Sequence, residues 1–294
     1  MNVPPLPRLH DSAVAVAPPD GGTGTWAGAP SAWRHGEDIY LAYRLRRPIG
    51  EGRGYANVVA RSADGVRFTP VAEVHKDRFG GASLERPALV RTPEGRWRLY
   101  VSVATPGTKH WRVDVLEAGS PDELTDAPAK TVLPGDHTVG VKDPVVYCDG
   151  ARWHLWASCH PLETDEHADR MSTWYATSPD GLAWQWQGVA LAGRPGAWDA
   201  RGVRVSAILP TADGIVATYD GRATAEENWE ERTGVATGTF AALTATGGAP
   251  LTSPHAPGGL RYLSVVALPD GRHRVYYEMT RADGAHELRT ELVQ

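Results

Sequence analysis

Charged residues recur at matching places in repeated phrases of this chain: Glu85 and Arg86 before Pro87, Lys142 and Asp143 before Pro144, Arg204 before Val205, and Arg261 before Tyr262. A proline locks its own φ and holds the residue before it extended, so the backbone behind Arg86 and Asp143 is fixed. Gathered in one place, these side chains could do two kinds of work. The cations could hold a carboxylate or phosphate, which guanidinium groups grip bidentately. Alternatively they could neutralise Glu85, Asp143 and Asp199 in a buried network. Burial among cations would keep Asp143 ionised, whereas Glu85 would rise only where it is poorly solvated.

A repeat is what must gather them. Val141–Tyr147 runs through Asp149-Gly150 into Arg152–Ser158, an apolar run, a turn and an alternating aromatic run. That is the pattern of a strand, a hairpin and a second strand. The phrase returns around Gly28, Leu84, Val203 and Arg261. Aligned on Pro30, Pro87, Pro144, Val205 and Leu263, the steps are 57, 57, 61 and 58 residues. A period of this size in an all-strand unit predicts propeller blades. The expected fold is all-β, a five-bladed β-propeller in one domain over residues 1–294, with blades starting near 28, 85, 142, 203 and 261.

Third strands are expected at Asn57–Arg61, Trp111–Val115, Ser172–Ala176, Thr233–Thr237 and Glu287–Glu291, and outer strands at Arg67–Val71 and Ala183–Gln187. Ala13–Val16 should supply the last blade's fourth strand, closing the ring and removing an exposed edge. Turns between first and second strands are short, and those between second and third are longer and polar, so the long-loop face should carry the site. Five strand starts would converge there on one axial funnel. In this register Ala29, Arg86, Asp143, Arg204 and Tyr262 share one position, and Gly28, Glu85, Lys142, Val203 and Arg261 the position before it.

Composition bounds the partners. A net charge of −5 without a basic stripe excludes a nucleic-acid surface. No apolar run approaches membrane-spanning length, and Met1–Val16 lacks the features of a secretory leader. Cys148 and Cys159 fall at opposite ends of one hairpin, too far apart to bond. A reduced, cytoplasmic setting is expected. Glu163, Asp165, Glu166, His167 and Asp169 have the composition of a metal site but read as a solvated acidic loop. No metal or cofactor is expected, since zinc spacing, a phosphate-binding Gly loop and a nucleophile elbow are all missing. The 11 Trp and 10 Tyr against 3 Phe suit blade packing and also sugar rings.

The fivefold phrase and Lys142-Asp143-Pro144 resemble the five-bladed propeller glycoside hydrolases of families 43, 32 and 68 and the related mannoside phosphorylases of family 130. The resemblance spans essentially the whole chain. It implies that Asp143 is a transition-state stabiliser or pKa modulator and that Glu85, two before Pro87, is the proton donor. Tyr219-Asp220-Gly221 followed by Arg232-Thr233-Gly234 is similar to a family 130 phrase. One departure stands out: those hydrolases carry a first-blade Asp as base or nucleophile, and this chain has Ala29. Hydrolysis of a glycoside ordinarily needs two carboxyl groups flanking the bond. The pair would be Glu85 with Asp143, or one of them with Asp199, Asp220, Glu227 or Glu231.

The expected function is glycoside hydrolase-like cleavage of a small carbohydrate or glycoconjugate, anionic if the axial cations bind it. Arg86, Lys142, Arg204, Arg261 and Tyr262 would orient the substrate, and His160 would serve as acid–base or hydroxyl donor. His110, Trp26, Trp111 and Trp229 would contact or stack its rings, with Ala225–Arg232 turning across the funnel. Phosphorylase, lyase or cyclase chemistry on the same fold, and non-catalytic sugar or anion binding, are the alternatives.

Overall fold

The computed structural model describes residues 4–164 and 166–294. Asp165 of the acidic loop, and Met1–Val3 of the stretch read for a leader, lie outside the described residues. Nearly every element is a strand. A short strand β1 (Ala13–Val16) precedes a first unit of β2 (Trp26–His35), β3 (Asp38–Arg46), β4 (Gly54–Ser62) and β5 (Thr69–His75). The second unit is β6 (Ala88–Arg91), β7 (Trp97–Ala104), β8 (Trp111–Ala118) and β9 (Ala129–Leu133). The third is β10 (Val139–Cys148), β11 (Trp153–Pro161), β12 (Ser172–Ser178) and β13 (Gln185–Leu191). The fourth is β14 (Gly202–Thr211), β15 (Gly214–Arg222), β16 (Arg232–Gly238) and β17 (Leu243–Ala245), and the last is β18 (Leu260–Ala267), β19 (His273–Thr280) and β20 (His286–Val293).

Within each unit the strands pair antiparallel in chain order, and β1 adds to β20 as a fourth strand through Ala13↔Thr290 and Val14↔Arg289. One parallel pair, Trp26↔His286, joins the last unit to the first as an eight-stranded sheet. No described sheet closes on itself by hydrogen bonds. First strands nevertheless touch in cyclic order: β2 with β6, β6 with β10, β10 with β14, β14 with β18 and β18 with β2. Cys148 and Cys159 are free thiols opposite Trp153 and Val141. No described helix is long and apolar enough to cross a membrane.

Second strands read as nearly continuous buried runs because they are covered on both faces by neighbouring sheets. All eight residues of β7 are buried, as are all of β11 except its last. The apolar cores therefore lie between successive units. Val59, Val74, Leu99 and Leu116 fill one such layer, Val113, Tyr100 and Leu155 the next, and Trp156, Val205, Ala217 and Tyr219 a third.

Four of the five first strands carry a bulge where two of their residues oppose one on the second strand. The bulge falls between Gly28 and Ser31, Lys142 and Val145, and Arg261 and Ser264. Ala29, Asp143 and Tyr262, just inside it, have left-handed φ values of 53°, 53° and 57°. In the fourth unit the bulge lies between Val205 and Ala207. This corrects the alignment read from the sequence: Ser206, not Val205, matches Pro30, Pro87 and Pro144, and Arg204 matches Lys142 and Arg261. Without a proline there, the fourth copy offers no marker for its register.

Close backbone approach locks the first unit to the second. Gly54 N donates to Ser83 Oγ at 3.0 Å and Leu84 N donates to Gly54 O at 2.7 Å. A Cβ on Gly54 would collide with the Leu84 carbonyl oxygen. Gly54→Ala is expected to cost about 1–3 kcal/mol, as overpacking does, read as a lower urea midpoint. An unchanged midpoint would show that the approach is not tight.

Candidate functional site

With the register corrected, two tiers of side chains stand on the axis. The upper tier is Gly28, Glu85, Lys142, Arg204 and Arg261, and the lower is Ala29, Arg86, Asp143, Val205 and Tyr262. Above them opens a cavity of about 350 Å³ lined from all five units. Among the described residues its wall carries seven cationic side chains (Arg44, Arg53, Lys109, Lys142, Arg204, Arg222, Arg261) against three carboxylates (Glu85, Asp169, Glu231).

The first unit contributes no acid to the upper tier. A Cβ on Gly28 would overlap the Glu278 carboxylate, which occupies that space from β19. Glu278 accepts from Arg261 at 2.8 and 2.7 Å, from Arg44 at 3.2 Å and from His286 Nδ1 at 2.7 Å. Burial opposes its charge, but Arg261 and Arg44 hold its carboxyl far below the usual range. Glu85 forms an ion pair with Arg44 and lies 3.9 Å from Arg46 Nη1. Glu231 is enclosed by Arg261, by Arg222 at 2.6 Å and by Arg204 at 3.2 Å. Against the cost of burial those guanidiniums keep it well below the ordinary carboxylate range.

Asp143 is 1% exposed and does not line the cavity. Its carboxylate accepts from Arg86 N at 3.2 Å and Tyr262 OH at 3.4 Å, with Arg204 Nη1 at 3.6 Å and Lys142 Nζ at 3.9 Å. Burial works against ionisation there, but Lys142, then Arg204 and Arg44, outweigh it and hold Asp143 low. Arg86 also lies beneath the cavity, not in it. It donates to the carbonyls of Ser206 at 2.6 Å and Pro30 at 3.2 Å, two equivalent register positions on separate units. Asp220 is fully buried, bound to Arg204 Nε at 3.1 Å and Tyr262 N at 3.0 Å, and burial pushes its pKa up despite Arg204.

Two basic groups face the cavity in unusual states. Burial lowers Lys142 to about 8, with Asp143 pulling the other way, and its ammonium lies 4.8 Å from the Trp111 ring centroid. Burial, then Lys142, lowers His160 to about 3. Its Nδ1 is 3.0 Å from the Ala168 carbonyl, which can only accept, so Nδ1 carries the proton. Nε2, 3.5 Å from Ser158 Oγ, is left as an acceptor.

Other sequence candidates lie elsewhere. Asp199 is tied to Arg194 at 2.9 Å and Tyr219 OH at 2.7 Å, away from the cavity wall. Glu227 pairs with Arg232 at 2.5 Å, and His110 lines a separate shallow hollow beside Thr105. Trp26 reaches the wall, but its ring is stacked on His286 at 4.7 Å with the Arg46 guanidinium 4.1 Å from it. Residues 223–231 form a turn rather than a helix, and Asn228, Trp229 and Glu231 reach the wall from it.

No family model matches the chain, and no curated protein matches it. Solved structures do. A glycosyl hydrolase from Bacteroides ovatus superposes with a TM-score of 0.67 at 15% identity, over 94% of this chain and 85% of that one. An alpha-L-arabinofuranosidase from Lactobacillus brevis gives 0.68 at 14%, over 90% of both chains. A beta-1,2-mannobiose phosphorylase from Listeria innocua gives 0.63 at 14%, over 97% and 92%. The fold is that of glycoside hydrolases and phosphorylases.

Sequence reading missed Arg44, Arg46, Arg53, Arg222 and Glu278. A signal existed for the first pair: Arg44 and Arg46 alternate at the end of an otherwise apolar strand, so both fall on one face. Glu278 had a weaker one, a single acid within Tyr276-Tyr277-Glu278-Met279.

The state of His160 has a pH consequence. An unfolded-chain histidine protonates near 6.5, His160 only near 3. Between those values the unfolded chain binds the extra proton, so this group withdraws stability as pH falls from 6.5 towards 3. Urea unfolding at about pH 7 and about pH 4 should show His160→Gln losing less stability than the parent chain. Parallel losses would mean that the imidazole is not held neutral.

Proposed function

We propose that the chain forms a single five-bladed β-propeller whose axial cavity hydrolyses a small anionic glycoside or sugar conjugate. The fold shared with glycoside hydrolases supports the reaction class, and the excess of cations on the cavity wall supports an anionic substrate. The observation that carries the reading is the contrast between Asp143 and Glu85. Asp143 is a buried, ionised carboxylate under the cavity floor, and Glu85 is a carboxylate on its wall.

Glu85 is the acid best placed to meet substrate. Glu231 is enclosed by three guanidiniums, and Asp169 is paired with Arg201 at 2.7 Å and Arg222 at 3.5 Å. Among the described residues Glu85 is paired with Arg44 and Arg46 alone. In the ion pair with Arg44 it is ionised, so it must take up a proton before it can give one to a leaving group. Asp143 does not touch the cavity. It acts as a positioning residue, orienting the Tyr262 hydroxyl, Arg204 and Lys142 and balancing their charge. His160 Nε2 would accept a hydrogen bond from a substrate hydroxyl or water, and Trp111 would meet a ring face.

Phosphorolysis is the second reading, favoured by the same cations, with inorganic phosphate in place of water. A panel of aryl and natural glycosides assayed with and without phosphate separates the two. Hydrolysis predicts turnover in phosphate-free buffer, and a strict phosphate requirement would replace it with phosphorolysis. Glu85→Gln should cut turnover by about 10²–10⁴-fold and Asp143→Asn by about 10–100-fold, with circular dichroism and melting temperature confirming the fold. Near-normal rates in both folded variants would remove the assignment.

A further inference from the structure

The first unit's side of the cavity holds more positive charge, and more unused hydrogen-bond donors, than the chain itself answers. Arg44 spends Nη1 on Glu85 and Nη2 on Glu278, yet its Nε has no acceptor among the described residues. Arg46 is 1% exposed, and none of its three guanidinium nitrogens has a hydrogen-bond acceptor among the described residues. Arg53 Nε, on the cavity wall, and the Trp26 indole Nε1 likewise have no acceptor among the described residues. The carboxylate oxygen paired with Arg46 is Glu85 Oε1 at 3.9 Å, beyond hydrogen-bond reach.

Such an arrangement is costly without a ligand. Buried donors without acceptors forfeit their desolvation energy, and a buried charge needs a partner. Arg46 instead lies 4.1 Å from the Trp26 ring centroid and 4.7 Å from that of Trp229, which holds the cation by its π-faces without using its N–H groups. Burial, and then repulsion from Arg44, Arg53 and Arg261, pushes Arg46 down to about 9. Glu278 adds little relief, since it is shared with Arg261 and His286. Arg44, Arg46 and Arg53 carry three positive charges against Glu85 and a share of Glu278, an excess that suits a dianion better than a monoanion.

We propose that Arg44 and Arg53 on the cavity wall, with Arg46 buried behind them as an uncompensated charge, form an oxyanion subsite for the substrate itself, taking a phosphate monoester carried by the sugar. The inference rests on the glycoside reading above and names its substrate class. An anion seated here competes with Glu85 for Arg44 and frees that carboxyl to take up a proton. The chemistry that supplies such a substrate is a phosphoryl transfer to a sugar hydroxyl.

Calorimetry on the intact chain tests it with hexose 6-phosphates, the matching uronates, the free hexoses and inorganic phosphate. The expected order has a hexose phosphate about tenfold or more tighter than its free hexose and its uronate. That advantage should shrink at high salt and disappear in Arg53→Gln, a half-buried position on the cavity wall. Arg46→Met supplies a readout that a structural role would not give. Its melting temperature without ligand should equal or exceed the parent's, because an unanswered buried charge has been removed. The rise in melting temperature that a hexose phosphate causes should be lost.

Equal affinity for phosphorylated and free hexose would overturn the subsite, as would inorganic phosphate binding as tightly as the sugar phosphate. A uronate binding as tightly as the phosphate would overturn the dianion assignment. A clear drop in the ligand-free melting temperature of Arg46→Met would show that the guanidinium is structural. The two readings fail separately. Turnover of neutral glycosides without phosphate discrimination removes the subsite alone, and Arg53-dependent sugar-phosphate binding without turnover of any glycoside removes the hydrolase alone.

Discussion

Arg204 has to be answered by acids from three directions, because a guanidinium buried to 2% exposure cannot be left to water. It takes Asp220 from β15 across its own hairpin, Asp143 from β10 of the preceding unit and Glu231 from the loop before β16, while its guanidinium carbon lies 3.8 Å from the Tyr262 ring centroid. Removing one partner of such a group typically costs about 3–5 kcal/mol, since the remaining charge is stranded. The third, fourth and fifth units are thereby registered against one another by polar contacts as well as by the apolar layers between them. Arg86 does the corresponding work lower on the axis, tying the second unit to backbone carbonyls of the first and fourth.

The bulges decide which charges are structural and which face a ligand. Inserting one residue after the upper-tier position turns Asp143 under the cavity, while Tyr262 at the equivalent position still reaches its wall, and the left-handed φ of Ala29, Asp143 and Tyr262 shows the backbone accommodating that turn. Lys142 and Asp143, adjacent in sequence, therefore end on different levels: the amine at the wall and the carboxylate under it. An ionised carboxylate is thus fixed just behind a row of donors on the cavity wall.

The strand repeat was legible because its signals are local: Asp-Gly and Pro-Glu-Gly turns, alternating aromatics, and prolines a constant step apart. Ala13–Val16 could be assigned to β20 because the last repeat was one strand short. The register of the fourth copy was not legible, since Val205-Ser206 has no proline and the apolar run reads equally well one residue either way. The site was legible only in part. Glu85, Lys142, Arg204, Arg261, Tyr262, Trp111, His160, Glu231 and Trp26 reach the cavity, whereas Asp143, Arg86 and Asp220 lie beneath it. Asp199, Glu227 and His110 found nearer partners in Arg194, Arg232 and Thr105. Periodicity identifies residues near an axis. It does not say which of them a neighbour has already claimed.

The vacancy at Gly28 shows how far one missing side chain can redirect a site. With a carboxylate at that tier, Arg44 and Arg261 would have had a partner on the first strand. Without a Cβ there, Glu278 moves in from the second strand of the last unit and satisfies Arg261 while meeting Arg44 at one nitrogen. Arg44 is left to share Glu85, and Arg46 and Arg53 are left with little to share. The absence of a side chain at Gly28 and the surplus of cations beside it thus belong to one arrangement. A wall with no acid on its first strand, carrying Arg44 and Arg53 with Arg46 buried behind them, offers a place that can accept an anion.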